Sequence, residues 1–305
     1  MPGRSLIDLD QLTVAELSAL LDRAASFKTR TPPRSLEGTT VVNLFFEPST
    51  RTFASFCMAQ QRLGAHVISI NPTVSSHVKG ETIADTAITL CAMGVDMAVV
   101  RHAEAGFVEQ FAAAFDGSVV NAGDGAHAHP TQGLLDLLTM RDEFGRIDGL
   151  SVLIVGDVLH SRVARSNAIG LRMLGADVTY CGPPSLVPAE LARDGVQVGS
   201  DLDALLPRAD VVMLLRVQRE RLGAALVPSE AEYAASFRVD AKRLASLQRH
   251  AIVMHPGPYN RGMELTDDVT AFERWRYRDQ VRNGVYVRMA VLEFLAAQAR
   301  PAVSA

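Results

Sequence analysis

Apolar positions along this chain recur with two periods, one helical and one strand-like, and the alternation between them sets out its elements. Val14, Leu17, Leu21 and Ala24 fall at helical spacing behind Thr13 and Glu16, which have the spacing of a capping box, so an amphipathic helix is expected to open the chain. Thr31-Pro32-Pro33 ends it, and the β-branched apolar run Thr40 to Phe46 predicts a buried strand. That strand stops at Glu47-Pro48, because proline removes a ladder donor. A helix is predicted from about Phe53 to Leu63, a strand at His66 to Ile70, a polar loop from Thr73 to Gly80, and a helix near Glu81 to Ala92. Strands follow at Met97 to Val100 and Ser118 to Val120, with a helix at Phe107 to Phe115 and a turn at Ala122 to Gly125. The segment His129 to Met140 enters a helix with proline early in it, where the missing N–H costs little.

Beyond Gly145 to Gly149 the pattern restarts. Strands are predicted at Ser151 to Val155, Asp177 to Cys181, Val196 to Val198, Asp210 to Leu215 and Ala251 to Met254, with helices at Arg162 to Leu174 and Leu202 to Leu206. The last helix, Val287 to Gln298, carries Ala290, Val291 and Phe294 on one face. Such alternation predicts an α/β protein of two domains, each a parallel sheet flanked by helices. The first domain is expected over residues 1–145 and the second over 146–284, with the closing helix, 285–305, packing back on the first.

Composition changes this picture little. The 305 residues suit one large or two medium domains, and 48% hydrophobic with 21% charged residues is ordinary for a soluble globular protein. A net charge of −4 makes no electrostatic case for nucleic acid and points to small partners. Cys57, Cys91 and Cys181 are isolated and odd in number, so neither a disulfide framework nor a zinc cluster is indicated; they read as buried or inert thiols. No apolar run approaches the length needed to span a bilayer and no signal-peptide core is visible, so no membrane role is expected and a cytoplasmic protein is the default.

Candidate chemistry does change the picture. Ser49, Thr50, Arg51 and Thr52 put three hydroxyls and a guanidinium directly between a strand and a helix, which suits an anion: free N–H groups, a favourable dipole and an arginine fork for phosphate oxygens. A plain helix cap needs only one hydroxyl. Other dense stretches are Ser75 to Lys79, Arg101-His102, His129 to Gln132, Asp157 to Arg162, Arg216 to Gln218 and His255 to Pro258. Each follows the carboxyl end of a predicted strand, the edge where open parallel sheets bind ligands. Two domains presenting such edges would place an active site in the cleft between them.

His127 and His129 form an HxH pair, but no third ligand stands at a metal spacing, and a neutral His129 polarising a carbonyl fits better. Val152 to Asp157 lacks the GxGxxG fingerprint of dinucleotide folds. Arg216, Arg219 and Arg221 read as a solvated face or, for Arg216 with Gln218 directly after a buried strand, as a carboxylate site. His255 to Pro258 reads as a strand-ending turn or as a rigid loop offering carbonyl acceptors to an amide.

The motifs FFEPSTRT, VKGET, VVRH, HPTQ, RVQRER and HPGP, in this order, closely resemble the catalytic chains of the aspartate carbamoyltransferase family, over nearly the whole chain. That resemblance implies transfer of the carbamoyl group of carbamoyl phosphate to the amino group of L-aspartate, the second step of de novo pyrimidine biosynthesis, with no cofactor and no metal. It implies that Ser49, Thr50, Arg51, Thr52 and Arg101 bind the phosphate, and that Thr52, Arg101 and His129 hold the carbonyl oxygen. Gln132, Pro256, Gly257 and Pro258 would take the carbamoyl amide. Arg51, Thr52, Arg101 and His129 are thus the implied catalytic set. Aspartate would be bound by Lys79, Arg162, Arg216 and Gln218, with Ser75 and Lys79 reaching into an adjacent subunit of a homotrimer. Glu47 would pair with Arg162 and Arg221 as the domains close. Regulatory or dihydroorotase chains are further partners that such trimers can take.

Ornithine carbamoyltransferase is the alternative activity, but its substrate ends in a cation that has no need of Arg216, and its HCLP turn is absent here. A catalytically silent scaffold would be expected to have lost some of these motifs. Gly257 replaces a leucine of some relatives, Val78 a lysine, and Phe53 a frequent arginine.

Overall fold

The computed structural model describes residues 3–70, 82–217 and 229–299. The chain divides into two compact units, Met1–Leu138 with Val281–Ala305, and Thr139–Gln280.

The first unit contains strands β1 (Thr40–Phe45), β2 (His66–Ile70), β3 (Met97–His102) and β4 (Ser118–Asp124), paired in parallel in the order β2-β1-β3-β4. Its helices are α1 (Val14–Ser26), α2 (Thr50–Arg62), α3 (Ile83–Ala92), α4 (Phe107–Ala114) and the first part of α5 (Pro130–Phe144). Thr13 caps α1 as the spacing predicts: its hydroxyl accepts from Glu16 N at 3.2 Å and the Glu16 carboxylate accepts from Thr13 N at 2.9 Å. The buried face of α1 is Leu17, Leu20, Leu21 and Ala24. Val14, expected on that face, is 51% exposed, because it occupies the first helical position, short of where the helix meets the core. One face of the sheet packs Val42, Leu44, Val100 and Val119 against Phe107, Phe111 and Phe115.

The second unit holds β5 (Ser151–Val155), β6 (Asp177–Cys181), β7 (Val196–Gly199), β8 (Val211–Leu214) and β9 (Ile252–Met254), again all parallel, in the order β7-β6-β5-β8-β9. Helices α6 (Arg162–Met173), α7 (Leu202–Leu205), α8 (Glu230–Phe237), α9 (Ala241–Ala245) and α10 (Asp267–Ala271) connect them, and α11 (Tyr277–Ala299) closes the chain. Its central strands are near-continuous apolar runs, as a sheet covered on both faces requires. Cys181 at the end of β6 is buried, which pushes its thiol up to about 12, whereas Cys57 and Cys91 are half-buried.

Several boundaries depart from the pattern. α2 begins at Thr50 rather than Phe53, which makes Thr50, Arg51 and Thr52 its first turn. β4 continues through the expected turn to Asp124, because Asn121 and Asp124 are polar yet fully buried and hydrogen-bonded. α11 begins at Tyr277, well before Val287, and both it and α5 run across the division between the units. Helices α8 to α10 were not expected. They are short, and the capping residues Ser229 and Asp240 mark α8 and α9 better than any apolar period does. Among the described residues no helix is long and apolar enough to cross a membrane.

Each sheet has one place where successive connections leave in opposite directions. In the first it lies between β1 and β3, and in the second between β5 and β8. The carboxyl end of such a switch point is an opening that the connecting helices leave uncovered.

Candidate active site

At the first switch point β1 gives way to the turn that starts α2. Phe46 N donates to Arg101 O at 2.9 Å, so the β1–β3 pairing runs up to the turn, and Phe45 is the register partner of Arg101. Ser49 is the N-cap of α2 but its hydroxyl makes no capping hydrogen bond. The first-turn N–H groups of α2 therefore keep their donors for another partner, and the helix dipole favours an anion there. Among the described residues the side chains of Thr50, Arg51 and Thr52 make no hydrogen bond either. Thr50 is exposed, Arg51 half-buried and Thr52 buried, a gradient that runs inward along the turn. The capping reading of this stretch thus fails on geometry, and the anion reading keeps its donors.

Arg101 sits where β3 shifts register against β4, between Val100 and His102. Bulges of this kind re-aim a side chain out of the ladder. One end of its guanidinium donates to Ala122 O at 3.0 Å and the other lies 3.3 Å from the Glu47 carboxylate. Ala122 O is fixed within β4, so that end of the fork is held by the sheet itself. His102 beside it is structural: it stacks on Phe107 at 3.6 Å and its Nδ1 accepts from Glu104 N.

The loop that delivers His129 is built on Asp124. This buried carboxylate accepts from Asn121 Nδ2 at 2.8 Å, Gly106 N at 2.9 Å and Ala128 N at 3.2 Å, and pairs with His127 Nδ1 at 3.0 Å. His127 therefore serves the turn. Among the described residues no cluster of three His, Cys, Asp or Glu could hold a metal. His129 is buried directly before α5, and Gln132, also buried, lies in the first turn. Gln132 Nε2 donates to Asp136 Oδ1 at 3.0 Å. Nearby Arg288 on α11 is fully buried, and burial, reinforced by Arg101 and opposed by Asp136, lowers its pKa to about 9.

In the second unit the same topology positions different chemistry. Gly156 follows β5 at φ 132°, and a Cβ there would stand 2.8 Å from Leu215 O, so the turn closes only around glycine. Asp157 then accepts from His160 Nδ1 at 2.8 Å, Ser161 caps α6 through Ala164 N at 3.1 Å, and Arg162 is left buried in the first turn. On the neighbouring strand, Leu215 N pairs with Val155 O at 2.8 Å and the half-buried Arg216 follows. Arg162 and Arg216 thus follow the two strands that flank the second switch point.

After β9, Gly257 N donates to His255 Nδ1 at 2.8 Å, and Gly257 takes φ 70°, a left-handed conformation that glycine adopts without strain. Among the described residues no backbone N–H donates to the carbonyls of Pro256, Gly257 or Pro258. Glu264, 1% exposed, ties this loop to the one carrying Arg216: it accepts from Val217 N at 2.9 Å, Asn260 N at 2.7 Å and Asn260 Nδ2 at 2.9 Å. Burial raises its pKa against those bonds.

Comparison with known proteins decides what this architecture is. The family model described as aspartate/ornithine carbamoyltransferase, carbamoyl-P binding domain, matches residues 4–142, and that described as aspartate/ornithine carbamoyltransferase, Asp/Orn binding domain, matches residues 148–295. The chain belongs to the aspartate/ornithine carbamoyltransferase family.

Within that family, it is 53% identical to an aspartate carbamoyltransferase catalytic subunit of Salinispora tropica, over 95% of this chain and 96% of the relative. It is 54% identical to that of Frankia casuarinae, over 94% and 90%. A crystal structure of aspartate transcarbamoylase from Trypanosoma cruzi in complex with carbamoyl phosphate and aspartate superposes with a TM-score of 0.86 at 32% identity, covering 96% of both chains. The same enzyme in complex with N-(phosphonacetyl)-L-aspartic acid gives 0.87 at 34% identity, over 96% and 95%.

In this carbamoyltransferase-family chain, Glu47, Ser49 to Thr52, Arg101, His129 and Gln132 all lie at the carboxyl edge of the first sheet, and Arg162, Arg216 and Pro256 to Pro258 at that of the second. Ser75, Lys79, Gln218 and Arg221 lie outside the described residues. Glu47, expected opposite Arg162 and Arg221, is found beside Arg101. Sequence reasoning missed Asp124, Asp136, Glu264 and Arg288. A signal existed for Asp136, an acid inside the apolar run Leu134 to Leu138, four residues after Gln132. For Glu264 and Arg288 no local pattern marks them as buried.

Proposed function

We propose that this chain is the catalytic chain of an aspartate carbamoyltransferase, which transfers the carbamoyl group of carbamoyl phosphate to L-aspartate, giving N-carbamoyl-L-aspartate and phosphate in pyrimidine biosynthesis. The observation that carries the substrate assignment is the placement of Arg162 and Arg216 after β5 and β8, the adjacent strands of the second switch point. Two guanidinium groups suit a dicarboxylate, whereas ornithine presents a terminal cation that would repel the second of them. The names of the relatives support the same choice.

The first turn of α2 and Arg51 hold the phosphate, while Thr52, Arg101 and His129 aim donors at the carbonyl oxygen. The uncharged amine of aspartate attacks the carbonyl carbon, the new C–N bond forms, and negative charge grows on that oxygen, where the donors stabilise it as an oxyanion hole does. The C–O bond to phosphate then breaks, and the departing phosphate takes the proton from the amine. No protein nucleophile is required, so most of the acceleration comes from holding two anions in line and excluding water. Gln132 and the carbonyls of Pro256 to Pro258 accept from the carbamoyl NH2.

Calorimetry with N-(phosphonacetyl)-L-aspartate tests this reading. A compound joining both substrate halves is expected to bind at least about a hundredfold tighter than aspartate. Equal or tighter binding of the corresponding ornithine compound would contradict the substrate assignment.

The working assembly is a cytoplasmic homotrimer, open to regulatory or dihydroorotase chains, in which Ser75 and Lys79 complete the site of a neighbouring subunit. Mixing inactive Lys79→Ala with inactive Arg51→Ala chains is expected to restore activity at hybrid sites. Demonstrably mixed trimers without recovery would count against sharing.

A further inference from the structure

A glutamine side chain is two-faced: its carbonyl oxygen accepts, its NH2 donates, and half a turn about the last bond exchanges them. The carbamoyl group also carries an NH2, so a glutamine recognises it only with the oxygen forward. Something must hold the glutamine in that sense. In this structure Gln132 Nε2 donates to Asp136 Oδ1 at 3.0 Å, one helical turn along α5, and both residues are buried, Asp136 completely. We propose that Asp136 is a positioning residue that locks Gln132 with its NH2 turned inward, leaving its carbonyl oxygen as the acceptor that distinguishes a carbamoyl phosphate from other acyl phosphates. The inference rests on the carbamoyl-transfer reading and deepens it.

An ionised carboxylate can only accept. If Gln132 turned over, its oxygen would face a carboxylate oxygen in a buried place with no donor between them, so one orientation is strongly preferred. For the lock to hold, Asp136 must stay ionised although it is fully buried, and Arg288 supplies the reason. Its guanidinium is a charge neighbour of Asp136, and with a pKa lowered only to about 9 it remains a cation at neutral pH. Arg288 is itself held in place. It lies 4.9 Å over the ring of Phe56 on α2, and Gly284 leaves it room, since a Cβ at that position would collide with Nη1. The helix that carries the phosphate turn and the helix that carries Gln132 therefore share one buried cation as their support.

Acetyl phosphate is the probe, because it replaces the carbamoyl NH2 by a methyl group of similar size that cannot donate. The test compares the KM for carbamoyl phosphate with the inhibition constant of acetyl phosphate, in wild type and in Asp136→Asn. Asparagine is isosteric but tolerates either orientation of Gln132. The wild type, once shown to use carbamoyl phosphate, is expected to favour it over acetyl phosphate, and the variant to lose about tenfold or more of that preference. The KM for aspartate should stay within about twofold, since this change touches only one donor–acceptor pair of the other substrate.

Because Asp136→Asn leaves Arg288 buried without its counter-charge, the double variant Asp136→Asn/Arg288→Met removes both charges and is measured in parallel. A folded single or double variant that keeps the wild-type preference overturns the inference, and so does a loss shared equally by both phosphates. A wild type that does not turn over carbamoyl phosphate would refute the proposed function instead, which separates the two failures.

Discussion

Replacing Arg51 by alanine is expected to lower kcat/KM for carbamoyl phosphate by about a thousandfold, with the melting temperature close to that of wild type. The magnitude follows from position. Arg51 is in the first turn of α2, where unpaired N–H groups and the helix dipole already favour an anion, and its guanidinium adds the only full charge of that turn. Among the described residues its side chain makes no hydrogen bond, so the fold does not depend on it. A surface turn that existed only to cap α2 would lose little activity on this change. Steady-state kinetics and a thermal melt of Arg51→Ala therefore separate a phosphate site from a cap, and a folded variant with near-normal turnover would remove Arg51 from the mechanism.

Arg216→Ala is expected to act on the other substrate. Losing one charged hydrogen-bonded partner of a carboxylate costs about 2–5 kcal/mol, so the KM for aspartate should rise by about thirtyfold or more, while that for carbamoyl phosphate moves little. Arg216→Lys keeps the charge but not the fork and should recover only part of the loss. The backbone beside Arg216 is fixed independently by the Val217 N–H on the Glu264 carboxylate, so the variant retains the loop while losing the charge. A selective rise in the KM for carbamoyl phosphate would show that the two sets of residues had been assigned to the wrong substrates.

The contrast between these two variants reflects how the chain reveals its plan. Strands such as Val152 to Val155 are apolar on both faces and bounded by glycine, so they can be read without tertiary knowledge, and the residues just after them inherit their placement. That is why the placement of Ser49 to Thr52, Arg101, His129, Arg162 and Arg216 beyond the carboxyl ends of strands is legible from the chain alone. The pattern fails where burial is polar. Asn121 and Asp124 extend β4 through an apparent turn because each finds its hydrogen bonds inside the fold, and binary patterning counts them as solvent-facing. It fails again for Glu264 and Arg288, whose partners lie far away in sequence: Val217 for one, Phe56 and Asp136 for the other. In the structure these residues brace the loops and helices that carry the candidate site. Nothing in local spacing distinguishes them from exposed charges, which is the ordinary fate of glutamate and arginine.

Where α2 begins is a smaller lesson with a larger consequence. An expected start at Phe53 would leave the hydroxyls and Arg51 in a loop. The observed start at Thr50 puts Thr50, Arg51 and Thr52 on the first turn, among the backbone N–H groups that the helix start leaves without intrahelical partners. A helix start of this kind favours an anion through its free N–H groups and its dipole.

The most direct measurement is a carbamoyl-transfer assay of the purified chain, with carbamoyl phosphate as donor and aspartate, ornithine and putrescine offered in parallel. Formation of N-carbamoyl-L-aspartate with kcat/KM at least about a hundredfold above that for either cationic acceptor is the predicted result. A clear preference for ornithine or putrescine, or no transfer to any of the three, would contradict the account.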